Sequence, residues 1–203
     1  VKYASEKKID FIICDHHRPV EHIPPAIAVL DPKREDCEYP YKELCGCGVG
    51  FKLLQALAHR RGLTIDDLFL YLDLVVTAIA ADIVPITGEN RILAYYGLKV
   101  INSNPRPGIK AILQQLNKSS FTITDVVFII APRINAAGRM KHGNHAVALL
   151  SETNIDMATD YAREIEIFNS DRKDADKRIT EEALEQIKEL KEEGKKTTVV
   201  YNE

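Results

Sequence analysis

The chain has 203 residues, 45% of them hydrophobic and 28% charged, proportions of an ordinary globular protein with room for a sizeable core. Its formal net charge of −3 excludes a simple nucleic-acid coat, whose affinity comes mostly from a basic surplus that neutralises phosphates. No apolar run is long enough to span a bilayer, and Lys2, Glu6, Lys7 and Lys8 interrupt any signal-peptide pattern, so a cytoplasmic protein with no membrane partner is expected.

Residue 1 is Val, the chain starts almost in its first strand, and it stops at Glu203 just after an apolar run, so an internal piece of a longer protein is expected. The β-branched and aromatic run Ile9 to Cys14 predicts a buried strand, and Ala26 to Leu30 a second one ended by Asp31-Pro32. Lys33 to Leu44 reads as loop. The glycines 46, 48 and 50 open an amphipathic helix, Val49 to Arg61, closed by Gly62. Thr64 and Asp67 form a capping signature for an unusually apolar helix, Ile65 to Ala80. Further helices are predicted over Glu89 to Ile101, Gly108 to Leu116 and Ile123 to Ile130, followed by a loop from Ala131 to Arg139 and a short helix from Asn144 to Leu150. The last element runs from Asn154 toward Glu193, with Gly194 as its stop and a length of roughly 60 Å. Its apolar positions are dense up to Phe168 and then thin out, the pattern of a helix that leaves a core to bridge two domains. Thr197 to Tyr201 reads as a strand. The fold class is α/β, mostly helical after two strands.

Asp15-His16-His17, thrown off the carboxyl end of a strand, stands where open α/β sheets place ligands, and Asp and His hold divalent metals. A solvated turn is the alternative. Asp82, inside the apolar stretch Ala81 to Pro85, needs a metal or a hydrogen-bonded partner, because an unpaired buried carboxylate is costly. Arg133, Asn135 and Arg139 form a third group, suited either to phosphate oxygens or to ordinary surface salt bridges. Together the three suggest metal-assisted hydrolysis of a phosphate ester. Cys14, Cys37, Cys45 and Cys47 read as reduced thiols, and Cys45-x-Cys47 lacks the spacing of a zinc knuckle and reads as buried small side chains beside glycines. The glycines at 46, 48 and 50 lack dinucleotide-binding spacing and read as a close-packing device. His22, His59, His142 and His145 read as surface or packed residues.

Ile13-Cys14-Asp15-His16-His17-Arg18-Pro19 resembles the signature of the DHH phosphoesterase superfamily. Asp31-Pro32-Lys33-Arg34, Tyr39 to Leu44, Gly48 to Leu53, Ala81 to Pro85, Gly88 to Arg91 and Pro132 to Arg139 resemble, in order and spacing, its RecJ family of single-stranded-DNA-specific exonucleases. The resemblance implies the C-terminal portion of a DHH-type parallel-sheet catalytic domain over residues 1–153, a connecting helix over 154–195, and the first strand of a truncated DHH-associated domain over 196–203. It implies that His16 and Asp82 are ligands of one two-metal Mn²⁺ or Mg²⁺ centre and that His17 contacts or protonates the scissile phosphate. Asp15 would orient the imidazoles, and Arg133, Asn135 and Arg139 would face the substrate backbone or brace the site. The implied reaction is release of nucleotides from the 5′ end of single-stranded DNA in repair and recombination, with a single-strand-binding protein and a helicase as further partners.

The family's centre also draws aspartates from strands that precede this signature. The piece is therefore expected to hold an incomplete centre, bind metal weakly and be inactive alone. Its uncovered edge at Ile9 to Cys14 is expected to invite self-association. The alternatives are a DHH phosphoesterase acting on short oligonucleotides, cyclic dinucleotides or pyrophosphate, and a non-catalytic replication scaffold of the same fold. A dinucleotide-binding oxidoreductase, resting on the glycines alone, is the weakest.

Overall fold

The computed structural model describes residues 1–20, 22–140, 142–190 and 193–201, and of Arg139 and Met140 the backbone only. After a short helix, α1 (Lys2–Glu6), two parallel strands, β1 (Ile12–Cys14) and β2 (Ala28–Leu30), pair with Ile12 opposite Ala28 and Cys14 opposite Leu30. Two more amides extend the ladder, Ile27 to the Phe11 carbonyl at 3.0 Å and Asp15 to the Leu30 carbonyl at 2.9 Å. The expectation of a buried first strand is corrected: Phe11 and Ile12 are 46% and 53% exposed, although Cys14 and Leu30 pack against the core. A β-branched run marks extended backbone, but it does not say how many faces of the sheet are covered.

Helix α2 (Gly46–Arg60) packs on β1 and ends before Gly62, whose φ of +71° turns the chain. The Thr64–Asp67 cap forms, with the Thr64 amide and hydroxyl donating to Asp67 at 2.8 and 3.0 Å. The helix behind it is not continuous: a 3₁₀ segment, Asp66–Tyr71, leads into α3 (Leu72–Ala81). Leu72, Val75, Val76, Ile79 and Ala80 make α3 the buried axis of the molecule, and α2 and α4 (Gly88–Ser103) pack around it. Helix α5 (Pro107–Gln114) follows, with Pro107 at the first helical position, where its missing N–H costs nothing.

Next comes α6 (Ile123–Asp125), started by a reciprocal Thr122–Asp125 capping box. Hydrogen bonds from Lys118 and Thr122 hold the Asp125 carboxyl at about 2. The expected loop from Ala131 to Arg139 is not there. The chain passes from α6 through a π-helical turn, Val126–Ile130, straight into α7 (Ala131–Met140). Pro132 stands just after the wider π turn, where a residue with no amide to donate and a bulky ring is tolerated. Helix α8 (Asn144–Ser151) and then α9 (Ile155–Glu189) complete the body, α9 capped by Asn154. Helix α9 is roughly 50 Å long. Its buried positions end at Asn169, so its second half stands away from the core as expected. Lys191 and Glu192, inside the expected helix, lie outside the described residues. The predicted strand at Thr197 to Tyr201 is corrected to irregular backbone, since an extended run becomes a strand only when a neighbour supplies a ladder.

Candidate metal centre

At the end of β1 the Asp15 carboxylate organises the turn. Its Oδ1 accepts the His16 amide at 2.7 Å, the His17 amide at 3.1 Å and the His17 Nδ1–H at 2.7 Å. Burial pushes the Asp15 carboxyl upward, but the His17 ring and the two amides outweigh it, leaving it below the usual carboxylate value and ionised at neutral pH. The two rings stay in contact, their centroids 4.5 Å apart and tilted by 50°, but differ in exposure: His16 is 15% exposed, His17 79%.

His16 Nε2 lies 3.5 Å from Asp82 Oδ2. The sequence motif and the isolated acid, far apart along the chain, therefore meet. Asp82 ends α3 and is more open than its apolar neighbours suggested, at 36%. A Cβ on Gly46 would sit 3.4 Å from His16 Cδ2, so this glycine lets the first turn of α2 run alongside the imidazole. Gly48 packs as closely against Cys45 Sγ and Leu44, but Gly50 faces open space, which corrects the reading of all three as packing glycines. Cys45 caps α2 through Sγ, and burial pushes the Cys47 thiol up to about 12, so it stays protonated.

The loop after Asp82 is pinned from several sides. Asn90 donates to the Pro85 carbonyl at 3.0 Å and the Glu43 carbonyl at 2.6 Å. The Tyr41 hydroxyl donates to the Pro85 carbonyl at 3.2 Å, and its ring lies 2.6 Å from where a Cβ on Gly88 would stand, at a φ of +46°. Glu89 accepts from Tyr39 at 2.7 Å and from Lys52 at 2.9 Å. None of these residues was read as part of the site. The signal was present, since they fill the Tyr39 to Leu44, Gly48 to Leu53 and Gly88 to Arg91 stretches, but their partners lie far away in sequence.

Of the third group, Arg133 sits on α7, donates from Nη1 to the Ile129 carbonyl at 2.9 Å and pairs through Nε with Glu166 of α9. Asn135 is exposed, and the Arg139 side chain lies outside the described residues. Among the described residues no hydrogen bond or ion pair joins this group to His16 or Asp82. His145 pairs with Glu164 and packs edge-on against Phe168, and His142 accepts the Asn144 amide.

An imidazole nitrogen and a carboxylate oxygen converging at 3.5 Å suit two neighbouring ligands of one ion such as Mn²⁺. Among the described residues no three His, Cys, Asp or Glu side chains gather closely enough to hold a metal.

Residues 1–79 match the family model "DHH family, N-terminal domain". Over that stretch the chain is similar to the DHH family. Over 196 residues it is 37% identical to the single-stranded-DNA-specific exonuclease RecJ of Escherichia coli K12, and over 190 residues 37% identical to that of Bacillus subtilis 168. These matches take in 91% and 93% of this chain but 34% and 23% of the relatives, so it spans about a third or less of their length. The fold superposes on a crystal structure of exonuclease RecJ bound to manganese with a TM-score of 0.80 at 31% identity, covering 91% of this chain and 46% of that one. RecJ of Thermus thermophilus in complex with Mn²⁺ gives 0.79 at 30% identity, covering 89% and 27%.

Proposed function

We propose that the protein containing this chain is a metal-dependent 5′→3′ exonuclease that hydrolyses phosphodiester bonds of single-stranded DNA, with the chain as one side of its active site. The observation that carries the reading is the meeting of His16 Nε2 and Asp82 Oδ2 beside the Asp15–His17 turn, in a chain whose relatives are named as that enzyme. His16 and Asp82 would hold Mn²⁺ or Mg²⁺, which when bound polarises a phosphoryl oxygen and makes water a better nucleophile. Asp15, ionised at neutral pH, holds His17 by Nδ1 and leaves Nε2 of that exposed ring to contact the phosphate or pass a proton to the leaving oxygen. Work in repair or recombination, with a single-strand-binding protein and a helicase delivering the strand, is part of the same proposal.

The test uses the full-length protein, Mn²⁺ and a 5′-phosphorylated single-stranded oligonucleotide. Nucleotides should leave stepwise from the 5′ end, and His16→Ala should abolish release. Asp15→Ala should slow it roughly 10- to 100-fold, as loss of a residue that orients site histidines does. No release with any divalent metal, or release unchanged in His16→Ala, would overturn the reading.

A further inference from the structure

The Arg133 guanidinium is held from two sides. Nε lies 2.5 Å from Glu166 Oε2 in an ion pair whose two atoms are shielded from solvent and make no directed hydrogen bond, and Nη1 donates to the Ile129 carbonyl of the preceding π turn at 2.9 Å. Nη2 makes no hydrogen bond to protein among the described residues and is not fully shielded from solvent. The side chain as a whole is only 12% exposed. Three residues beyond Glu166 on the same helix, Asn169 is completely buried with neither Oδ1 nor Nδ2 hydrogen-bonded to protein. Helix α9 thus keeps polar groups where apolar packing would be cheaper, and such groups call for an explanation.

We propose that Glu166 is a positioning residue for substrate binding: it fixes the Arg133 guanidinium through Nε so that the Nη2 edge is presented to a backbone phosphate of the single strand. A guanidinium is a planar fork whose donors move together, so fixing one edge aims the other. Partial neutralisation by a shielded carboxylate also keeps the arginine from burying an unpaired charge when no strand is bound. Because Glu166 lies on α9, the long helix that leaves the core, the same contact ties that helix to the strand-binding face. The nature of the phosphate rests on the exonuclease reading, whereas the Glu166–Arg133 geometry does not.

The experiment measures binding of a labelled single-stranded oligonucleotide to the full-length protein by fluorescence anisotropy, without divalent metal. The variants are Glu166→Ala, Glu166→Gln, Arg133→Ala and Glu166→Ala/Arg133→Ala. Glu166→Ala should raise Kd roughly tenfold, the effect of one charge-assisted hydrogen bond, and should raise it no further in the Arg133→Ala background. Glu166→Gln matches the size of the native side chain, serves if the alanine variant does not fold, and should raise Kd by a smaller factor. Equal loss in both backgrounds would mean a purely structural role and overturn the inference, as would a strand bound equally by native protein and Arg133→Ala. Absence of hydrolysis by the native protein overturns the exonuclease reading alone, because this measurement reads binding without turnover.

Discussion

Ile83 holds a left-handed backbone, φ +53°, directly behind Asp82. That region costs an L residue about 1–2 kcal/mol, and a β-branched side chain is a true outlier in it. The conformation survives because the surroundings fix both sides: α3 stops at Asp82, and Asn90 and Tyr41 clamp the Pro85 carbonyl. The side chain is 84% exposed and contributes little packing. Ile83→Gly should therefore stabilise the fold by about 0.5–1 kcal/mol, the relief of strain less the extra freedom glycine gives the unfolded chain. A urea unfolding midpoint that falls instead of rising would show that the isoleucine packs. At this scale the sequence was legible where chemistry is rare: Asp15, His16 and Asp82 stood out by their type in apolar surroundings. Ile83 was not, because nothing in an isoleucine announces a positive φ.

Helices α3 and α4 approach through Gly97, where an added Cβ would stand 2.5 Å from the Leu72 carbonyl oxygen and 2.7 Å from Val76 Cβ. A backbone oxygen cannot step aside, so Gly97→Ala should force the helices apart and cost about 1–3 kcal/mol, the usual penalty of overpacking. Gly50, inside α2, has nothing within 4 Å of its Cβ position. Gly50→Ala should gain about 0.8–1 kcal/mol from helix propensity alone. Thermal or urea unfolding of the two variants checks both signs together, and equal shifts would mean that the close approach at Gly97 is softer than drawn. The two glycines look alike in sequence, since only the neighbouring helix distinguishes them. The same limit explains the helix at 131–140: composition around Pro132 and Gly138 reads as loop, whereas packing on α3 and α9 makes it helix. Helices with a clear cap or stop, such as α2 before Gly62 and α9 after Asn154, were legible because those signals are local.

The molecule as a whole is tied together by a pair that the sequence did not announce. Asp73, fully buried in the first turn of α3, accepts from the Arg106 amide at 2.9 Å and from Arg106 Nε and Nη2 at 3.0 and 2.8 Å. Arg106 also donates to the Leu150 carbonyl at 3.1 Å and the Leu70 carbonyl at 3.3 Å. One guanidinium thus joins the 3₁₀ segment, the start of α3, the turn before α5 and the end of α8. In sequence Asp73 was one acid in an apolar helix and Arg106 one base between two prolines, and pairing across such a separation leaves no local trace. Removing one partner strands a buried charge, which typically costs about 3–5 kcal/mol, whereas replacing both with apolar groups removes the desolvation penalty as well. Arg106→Met should therefore destabilise the fold severely, and Asp73→Leu likewise. The double variant should be more stable than either single one, a coupling that a double-mutant cycle on urea unfolding reads directly. If the double variant lost the sum of the two single losses, the four segments would be held by packing around the pair and not by the pair itself.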